Sequence, residues 1–224
     1  MSIVKHIPNT ITLMNLLCGI VGVICTLRGQ IDIAFPLMLA AAVFDFCDGL
    51  AARLLKAYSP IGKELDSLSD MVSFGVLPAL MLYAVSNNYI TLFLALMSGL
   101  RLAKFNVDER QSTDFIGVAT PTAAIMSGAL CYSGLALPSW SYAVFAVVMG
   151  LLLVSEIPMF SIKIAKGHSL LGAKHIVLLV LVVLCIGLTI AFKLNWSYAV
   201  LAIFSCYIVE NLVIAAGKAL SRQG

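Results

Sequence analysis

Residues 44–75 read FDFCDGLAARLLKAYSPIGKELDSLSDMVSFG, and this stretch decides how the rest of the sequence is interpreted. It holds five of the eleven acidic residues of the chain, and four of them are aspartates: Asp45, Asp48, Asp66 and Asp70. The first two are three residues apart and the last two are four apart, so on helices each pair shares a face. The Ser-Pro and Gly residues between the pairs predict a short turn. Two antiparallel helices joined in this way can aim all four carboxylates at one point.

The composition is that of a membrane protein. The 224 residues are 61% hydrophobic and 11% charged, whereas a soluble domain is about 45–50% apolar and about 25% charged. A disordered chain, a small disulfide-rich secreted domain and a nucleic-acid-binding module are therefore excluded. We predict an all-α bundle in a single domain, residues 1–224, with eight spans. The predicted spans are 9–27, 31–52, 66–86, 89–105, 119–136, 139–160, 173–192 and 195–216.

The basic residues are strongly segregated along this predicted topology. With eight spans both termini lie on one face, which carries twelve of the fourteen Lys and Arg residues, and only Arg28 and Lys193 lie on the other. The positive-inside rule places the face with the twelve basic residues in the cytoplasm. We therefore expect an integral multi-pass protein, typical of a prokaryotic cell membrane, whose active site faces the cytoplasm.

The four aspartates are expected to hold cations. Carboxylates at one point repel one another, and each is costly at membrane depth. Oxygen-only ligands suit a hard ion such as Mg²⁺ or Mn²⁺. Two such ions about 3.5–4 Å apart would clamp a phosphoryl group for in-line displacement. The alternative, that the aspartates cap helices or pair with Arg53, Lys56 and Lys63, is disfavoured by their helix-face spacing in a charge-poor chain.

The neighbours of the aspartates suit a phosphate ligand. Gly49 leaves space beside the helix for a bulky group, and Arg53 lies one to two turns beyond the aspartates, where it can meet a diphosphate. An arginine at this place can also simply reach out to the membrane interface. In the first span, Asn9, Thr12 and Asn15 form a polar stripe at intervals of three. The stripe fits either interhelical hydrogen bonds or contact with a nucleotide.

The spacing D-x2-D-G-x2-A-R-x8-G-x3-D-x3-D over residues 45–70 resembles the signature of the CDP-alcohol phosphatidyltransferases. This resemblance implies a membrane enzyme that displaces CMP from a CDP-linked lipid with an alcohol, and it implies a homodimer. Two divalent cations, Mg²⁺ or Mn²⁺, would be held by Asp45, Asp48 and Asp66. Asp70 would touch the metal site and act as the catalytic general base. The predicted nucleotide and diphosphate site comprises Asn9, Thr12, Gly49, Ala52, Arg53 and Gly62.

Three later segments resemble the branch of the family that uses L-serine as the acceptor. They are residues 69–76 (SDMVSFGV), 101–106 (RLAKFN) and 115–121 (FIGVATP). The resemblance implies that CDP-diacylglycerol and L-serine are the substrates. Cations near a cytoplasmic cavity can hold the serine carboxylate or the lipid diphosphate. Arg101, Lys104 and Asn106 are accordingly predicted to bind the acceptor or a phosphate.

Two other readings remain open at this point. The acceptor can be another alcohol, such as glycerol 3-phosphate, an inositol phosphate or choline. The same aspartates can also be the ion site of a divalent-cation transporter. A transporter would be expected to place its site at mid-membrane, often on interrupted helices in both halves of the chain. The acids here lie near one edge and in one half. Glu156 and Glu210 receive no role.

Overall fold

The bundle of helices is described for residues 6–107, 115–159 and 195–220 by a computed structural model. A π-helical turn, Met71–Val76, joins the third helix to the fourth, and a 3-10 turn, Tyr89–Leu92, leads into the fifth. Two short strands, β1 (Phe115–Ile116) and β2 (Pro158–Met159), pair antiparallel. The helices are α1 (His6–Leu27), α2 (Ile31–Leu54), α3 (Pro60–Asp70), α4 (Leu77–Ser86), α5 (Phe93–Val107), α6 (Thr120–Tyr132), α7 (Ser139–Val154) and α8 (Trp196–Leu220).

Within these described ranges, five helical stretches are long and apolar enough to cross a membrane, which makes the chain a polytopic membrane bundle. They confirm, to within a few residues at most ends, the predicted spans 9–27, 31–52, 66–86, 89–105 and 195–216. The predicted span 173–192 lies outside the described residues. The five stretches are His6–Leu27, Ile31–Leu54, Pro60–Ser86, Tyr89–Val107 and Trp196–Ile214.

Three details differ from the sequence-based prediction. The third span begins at Pro60 rather than at residue 66, because Ser59 caps the helix and Pro60 occupies its first turn. The predicted spans 119–136 and 139–160 are helices of only 13 and 16 residues. The sequence predicts an all-helical fold, but β1 and β2 form a small antiparallel pair. Helix α7 ends at Val154, and β2 follows it within the predicted span.

The residues in the connections explain where the chain turns between α1 and α2 and between α4 and α5. Gly29 adopts a positive φ of 75° between α1 and α2, a conformation that costs little without a Cβ. Asn87 ends α4 in the left-handed region. The side chain of Asn88 then accepts a hydrogen bond from the backbone of Ile90 at 3.0 Å, which starts the next helical turn.

The core lies around α6, against which α2, α4 and the π-helical turn all pack. Phe35 and Met38 of α2 are fully buried there, as are Phe74 and Leu77. Helix α1 closes over this layer at Gly19, where an added Cβ would stand 2.3 Å from the Ser73 hydroxyl oxygen and 3.0 Å from the Ser73 Cα. The missing side chain therefore lets α1 approach the π-helical turn directly.

This close approach predicts that Gly19→Ala destabilises the protein. A methyl group at this position must displace the backbone of Ser73, which costs about 1–3 kcal/mol. The matched control is Gly99→Ala in α5, where the nearest atom to an added Cβ is the flexible Met71 sulfur at 3.4 Å. Thermal unfolding in detergent should show a lower midpoint for Gly19→Ala alone. Equal midpoints for the two variants would contradict the proposed packing of α1.

Candidate active site

Three aspartates on two helices form a cluster at one end of the bundle. Asp45 and Asp48 lie near the end of α2, and Asp66 lies on α3. One carboxylate oxygen from each lies within 4.8 Å of the others. The chain can bring them together because the connection of residues 55–59 reverses its direction and the Ser59 cap starts α3 immediately. The cluster is thus built by the local turn that the sequence predicts.

The hydrogen bonding of this cluster fits a divalent cation. Asp48 is only 6% exposed, and its Oδ2 atom is buried without a hydrogen-bond partner in the described part of the chain. The same holds for the Oδ1 atom of Asp66. Buried carboxylate oxygens that lack donors are costly, and an ion with oxygen ligands removes that cost. The donor set is made of carboxylate oxygens, which suits Mg²⁺ or Mn²⁺.

Asp70 lies one helical turn beyond Asp66 and is not one of the three clustered aspartates. It is 9% exposed, and its Oδ1 atom accepts a hydrogen bond of 3.1 Å from Nδ2 of Asn15. The Ser73 hydroxyl in turn donates to the backbone carbonyl of Asn15 at 3.1 Å. These two bonds tie α1 to the chain on both sides of the point where the π-helical turn begins. Such turns are often found at functional sites.

An open cleft lies beside the cluster and contains about 600 Å³ of empty space, part of it continuous with solvent. Five of the six residues predicted to bind the nucleotide and diphosphate line it. Two of the three clustered aspartates also face it, so a ligand in the cleft would touch the metal position. The lining consists of Pro8, Asn9, Thr12, Asp48, Gly49, Ala52, Ala57, Tyr58, Ser59, Gly62, Lys63 and Asp66.

The two glycines of the motif shape this cleft in different ways. A Cβ at Gly62 would stand 3.0 Å from both the Asn9 side-chain oxygen and the Ser59 hydroxyl, so glycine lets α1 and α3 approach. A Cβ at Gly49 would meet only the Arg53 guanidinium, at 3.9 Å. The surface of α2 beside Asp48 is therefore low and open, as the sequence suggests for a bulky ligand.

The sixth predicted nucleotide residue, Arg53, is not among the residues that line the cleft. It is exposed, and its Nε donates a hydrogen bond of 2.9 Å to the carbonyl of Gly49 on its own helix. Lys63 lines the cleft instead. Sequence reasoning gave this lysine no binding role, although its position next to Gly62 and three residues before Asp66 is a usable signal.

The predicted acceptor-site residues are divided between three environments. Arg101 is buried, and it donates hydrogen bonds to the Val118 carbonyl and, at 3.5 Å, to the Thr120 hydroxyl. Its charge also interacts with Asp70. Lys104 lies exposed in the last turn of α5.

Asn106, the third predicted acceptor residue, links two helices. Its side-chain Nδ2 donates a hydrogen bond to the Ser67 hydroxyl, and its backbone carbonyl accepts one from Nζ of Lys63. Both bonds are 2.9 Å long. Asn106 therefore connects α5 to Lys63 and Ser67 of α3, whereas Arg101, earlier on α5, interacts with Asp70.

Fold and site together define the class: an integral membrane protein with a carboxylate cluster that could hold a metal ion, beside a cleft. Residues 5–165 match the CDP-alcohol phosphatidyltransferase family. The chain belongs to this family, whose members use divalent metals. The family match thus covers α1 to α7 and includes every residue of the candidate site described above.

Several relatives carry a more specific name. A CDP-diacylglycerol–serine O-phosphatidyltransferase of Bacillus subtilis is 36% identical over 129 residues, which are 54% of this chain and 72% of the relative. One of Mycobacterium tuberculosis is 33% identical over 172 residues, 68% of this chain and 60% of the relative. An archaetidylserine synthase of Methanothermobacter thermautotrophicus is 32% identical over 159 residues, 67% of this chain and 68% of the relative.

The cluster predicts that Asp48→Asn weakens Mn²⁺ binding at least about tenfold, because an amide oxygen carries no charge to attract the ion. The measurement is titration of the purified protein in detergent, with bound Mn²⁺ followed by electron paramagnetic resonance. Asp32→Asn is the matched control, since Asp32 lies exposed in the first turn of the same helix, far from the cluster. Equal Mn²⁺ affinity in both variants would refute the metal centre.

Proposed function

We propose that the protein transfers the phosphatidyl group of CDP-diacylglycerol to the hydroxyl of L-serine and releases phosphatidylserine and CMP. The observation that carries the proposal is the shared boundary between the aspartate cluster and the cleft. Asp48 and Asp66 contribute to both, so a nucleotide in the cleft would present its phosphates to the metal position. This arrangement suits displacement at phosphorus better than passage of a free ion.

Different parts of the cleft would bind different parts of the substrate. The low surface at Gly49 and Ala52 would receive the cytidine part, while Asn9 and Thr12 of α1 offer polar groups from the opposite wall. Asp45, Asp48 and Asp66 would hold the divalent cations. When bound, those cations would supply positive charge to the phosphoryl oxygens and to the departing CMP.

Asp70 is proposed as the general base. A neutral hydroxyl is a poor nucleophile, and a carboxylate within hydrogen-bonding distance can take its proton as the bond to phosphorus forms. The serine Oγ–phosphorus bond would form, the bond from phosphorus to the CMP oxygen would break, and the serine proton would pass to Asp70. The hydrogen bond from Asn15 would fix the orientation of the carboxylate during this transfer. Asp70 would also contact the metal site.

The choice of serine as acceptor is supported by the relatives rather than by a contact in the cleft. Two of the relatives described above are named as enzymes that use serine, and the third as an archaetidylserine synthase. Arg101 adds a physical reason, because a buried guanidinium near Asp70 can attract the carboxylate of an amino acid. Lys104 and Asn106 are also proposed to contact the acceptor.

The proposed orientation places the cleft at the cytoplasmic face. Arg53, Lys56 and Lys63 lie at the end of the bundle where α2 passes into α3, and Lys104 lies in the last turn of α5. Arg28 follows α1 at the opposite end. The positive-inside rule then places the aspartates and the water-soluble acceptor on the same side. A homodimer is proposed from the family resemblance alone.

The proposal predicts that purified protein releases CMP from CDP-diacylglycerol only when a divalent cation and L-serine are both present, with phosphatidylserine as the lipid product. Asp70→Asn should lower kcat by about 100-fold or more, because the amide cannot accept the proton. Affinity for CMP should change little, since Asp70 is not among the residues that line the cleft. Asp32→Asn serves again as the control and should retain full activity.

The other outcomes are informative in different ways. Release of CMP with glycerol 3-phosphate, an inositol phosphate or choline, but not with serine, would contradict the acceptor while keeping the reaction. Full activity of Asp70→Asn would contradict the base. An absence of CMP release with every alcohol, together with uptake of divalent cations into vesicles, would replace the proposal with transport.

A further inference from the structure

We propose that Lys63 supplies the positive charge that contacts the nucleotide phosphates in the cleft, a role for which the sequence motif favours Arg53. The inference deepens the proposed function and rests on it, because it assigns a residue to the binding of CDP-diacylglycerol. It starts from a difference between the two side chains. Lys63 lines the cleft, whereas Arg53 is not among the lining residues and its guanidinium bonds to the Gly49 carbonyl of its own helix.

The position of Lys63 on α3 directs it towards the metal cluster. It follows Gly62 and precedes Asp66 by three residues, so Lys63 and Asp66 share one face of the helix. Among the described residues that line the cleft, Lys63 is the one with a positive charge, and it shares that lining with Asp48 and Asp66. A diphosphate that contacts these aspartates from the cleft would therefore lie in the same cavity as Lys63.

A second helix holds the ammonium group in place. Nζ of Lys63 donates a hydrogen bond of 2.9 Å to the backbone carbonyl of Asn106. The side-chain amide of Asn106 donates one of the same length to the Ser67 hydroxyl. An ammonium group has three donors, so this bond leaves others for the oxygen atoms of a phosphate. A lysine anchored in this way loses less side-chain entropy when a ligand binds.

The charges of the site explain why a further cation is useful. Four aspartates offset the charge of two divalent cations, so the metal centre would be close to neutral before a ligand arrives. A diphosphate then brings uncompensated negative charge. Lys63 would supply part of the missing positive charge through a charge-assisted hydrogen bond, and these bonds are roughly twice as strong as neutral ones.

The test uses the full chain, purified in detergent with Mg²⁺, and measures the affinities for cytidine, CMP and CDP by calorimetry. We expect Lys63→Gln to weaken CDP binding about tenfold and to leave cytidine binding unchanged, because cytidine has no phosphate. Lys63→Arg should restore most of the affinity for CDP. Lys56→Gln is the matched control, since this exposed lysine precedes α3 and does not line the cleft.

Several results would overturn the inference. One is an unchanged affinity of Lys63→Gln for CDP, and another is a loss in Arg53→Gln that Lys63→Gln does not show. An equal loss for cytidine and CDP would indicate a structural defect, and a raised KM for serine with unchanged CDP affinity would place the charge at the acceptor. If the wild-type protein binds none of the three ligands, the proposed function itself fails, and the inference fails with it.

Discussion

The repulsion between clustered carboxylates is the constraint on which the rest of the structure depends. Asp45, Asp48 and Asp66 bring oxygen atoms within 4.8 Å of one another in a bundle whose long helices are largely apolar. Asp48 and Asp66 each have a buried carboxylate oxygen without a hydrogen-bond partner among the described residues. Such a cluster opposes folding unless positive charge joins it. Metal binding and folding are therefore expected to be coupled in this protein.

The scaffold around the cluster serves to hold these charges in a fixed geometry. Helix α1 packs directly on the π-helical turn at Gly19, and from that position Asn15 reaches Asp70. The Lys63–Asn106 bond ties the other side of α3 to α5. The aspartates are thus supported from two sides by polar contacts, while the apolar core that α2 and α4 form with α6 supplies the burial that keeps the helices together.

Much of this architecture could be predicted because its signals are local. Apolar length predicted the spans at 9–27 and 31–52, and spacing along a helix predicted that Asp45 and Asp48 would share a face. Other features depend on contacts between distant segments. The β1–β2 pair needs residues 115 and 159 to meet, and the π-helical turn depends on packing with α1. The choice between Arg53 and Lys63 is a choice of side-chain conformation, which the spacing of residues does not determine.

The most direct test of the account is anomalous diffraction from crystals of the protein grown with Mn²⁺ and CDP. We expect two Mn²⁺ peaks about 3.5–4 Å apart, in contact with the carboxylates of Asp45, Asp48 and Asp66, with the phosphates of CDP bound to the same ions. Ordered CDP in the cleft without Mn²⁺ at these carboxylates, or Mn²⁺ bound only elsewhere on the protein, would contradict it.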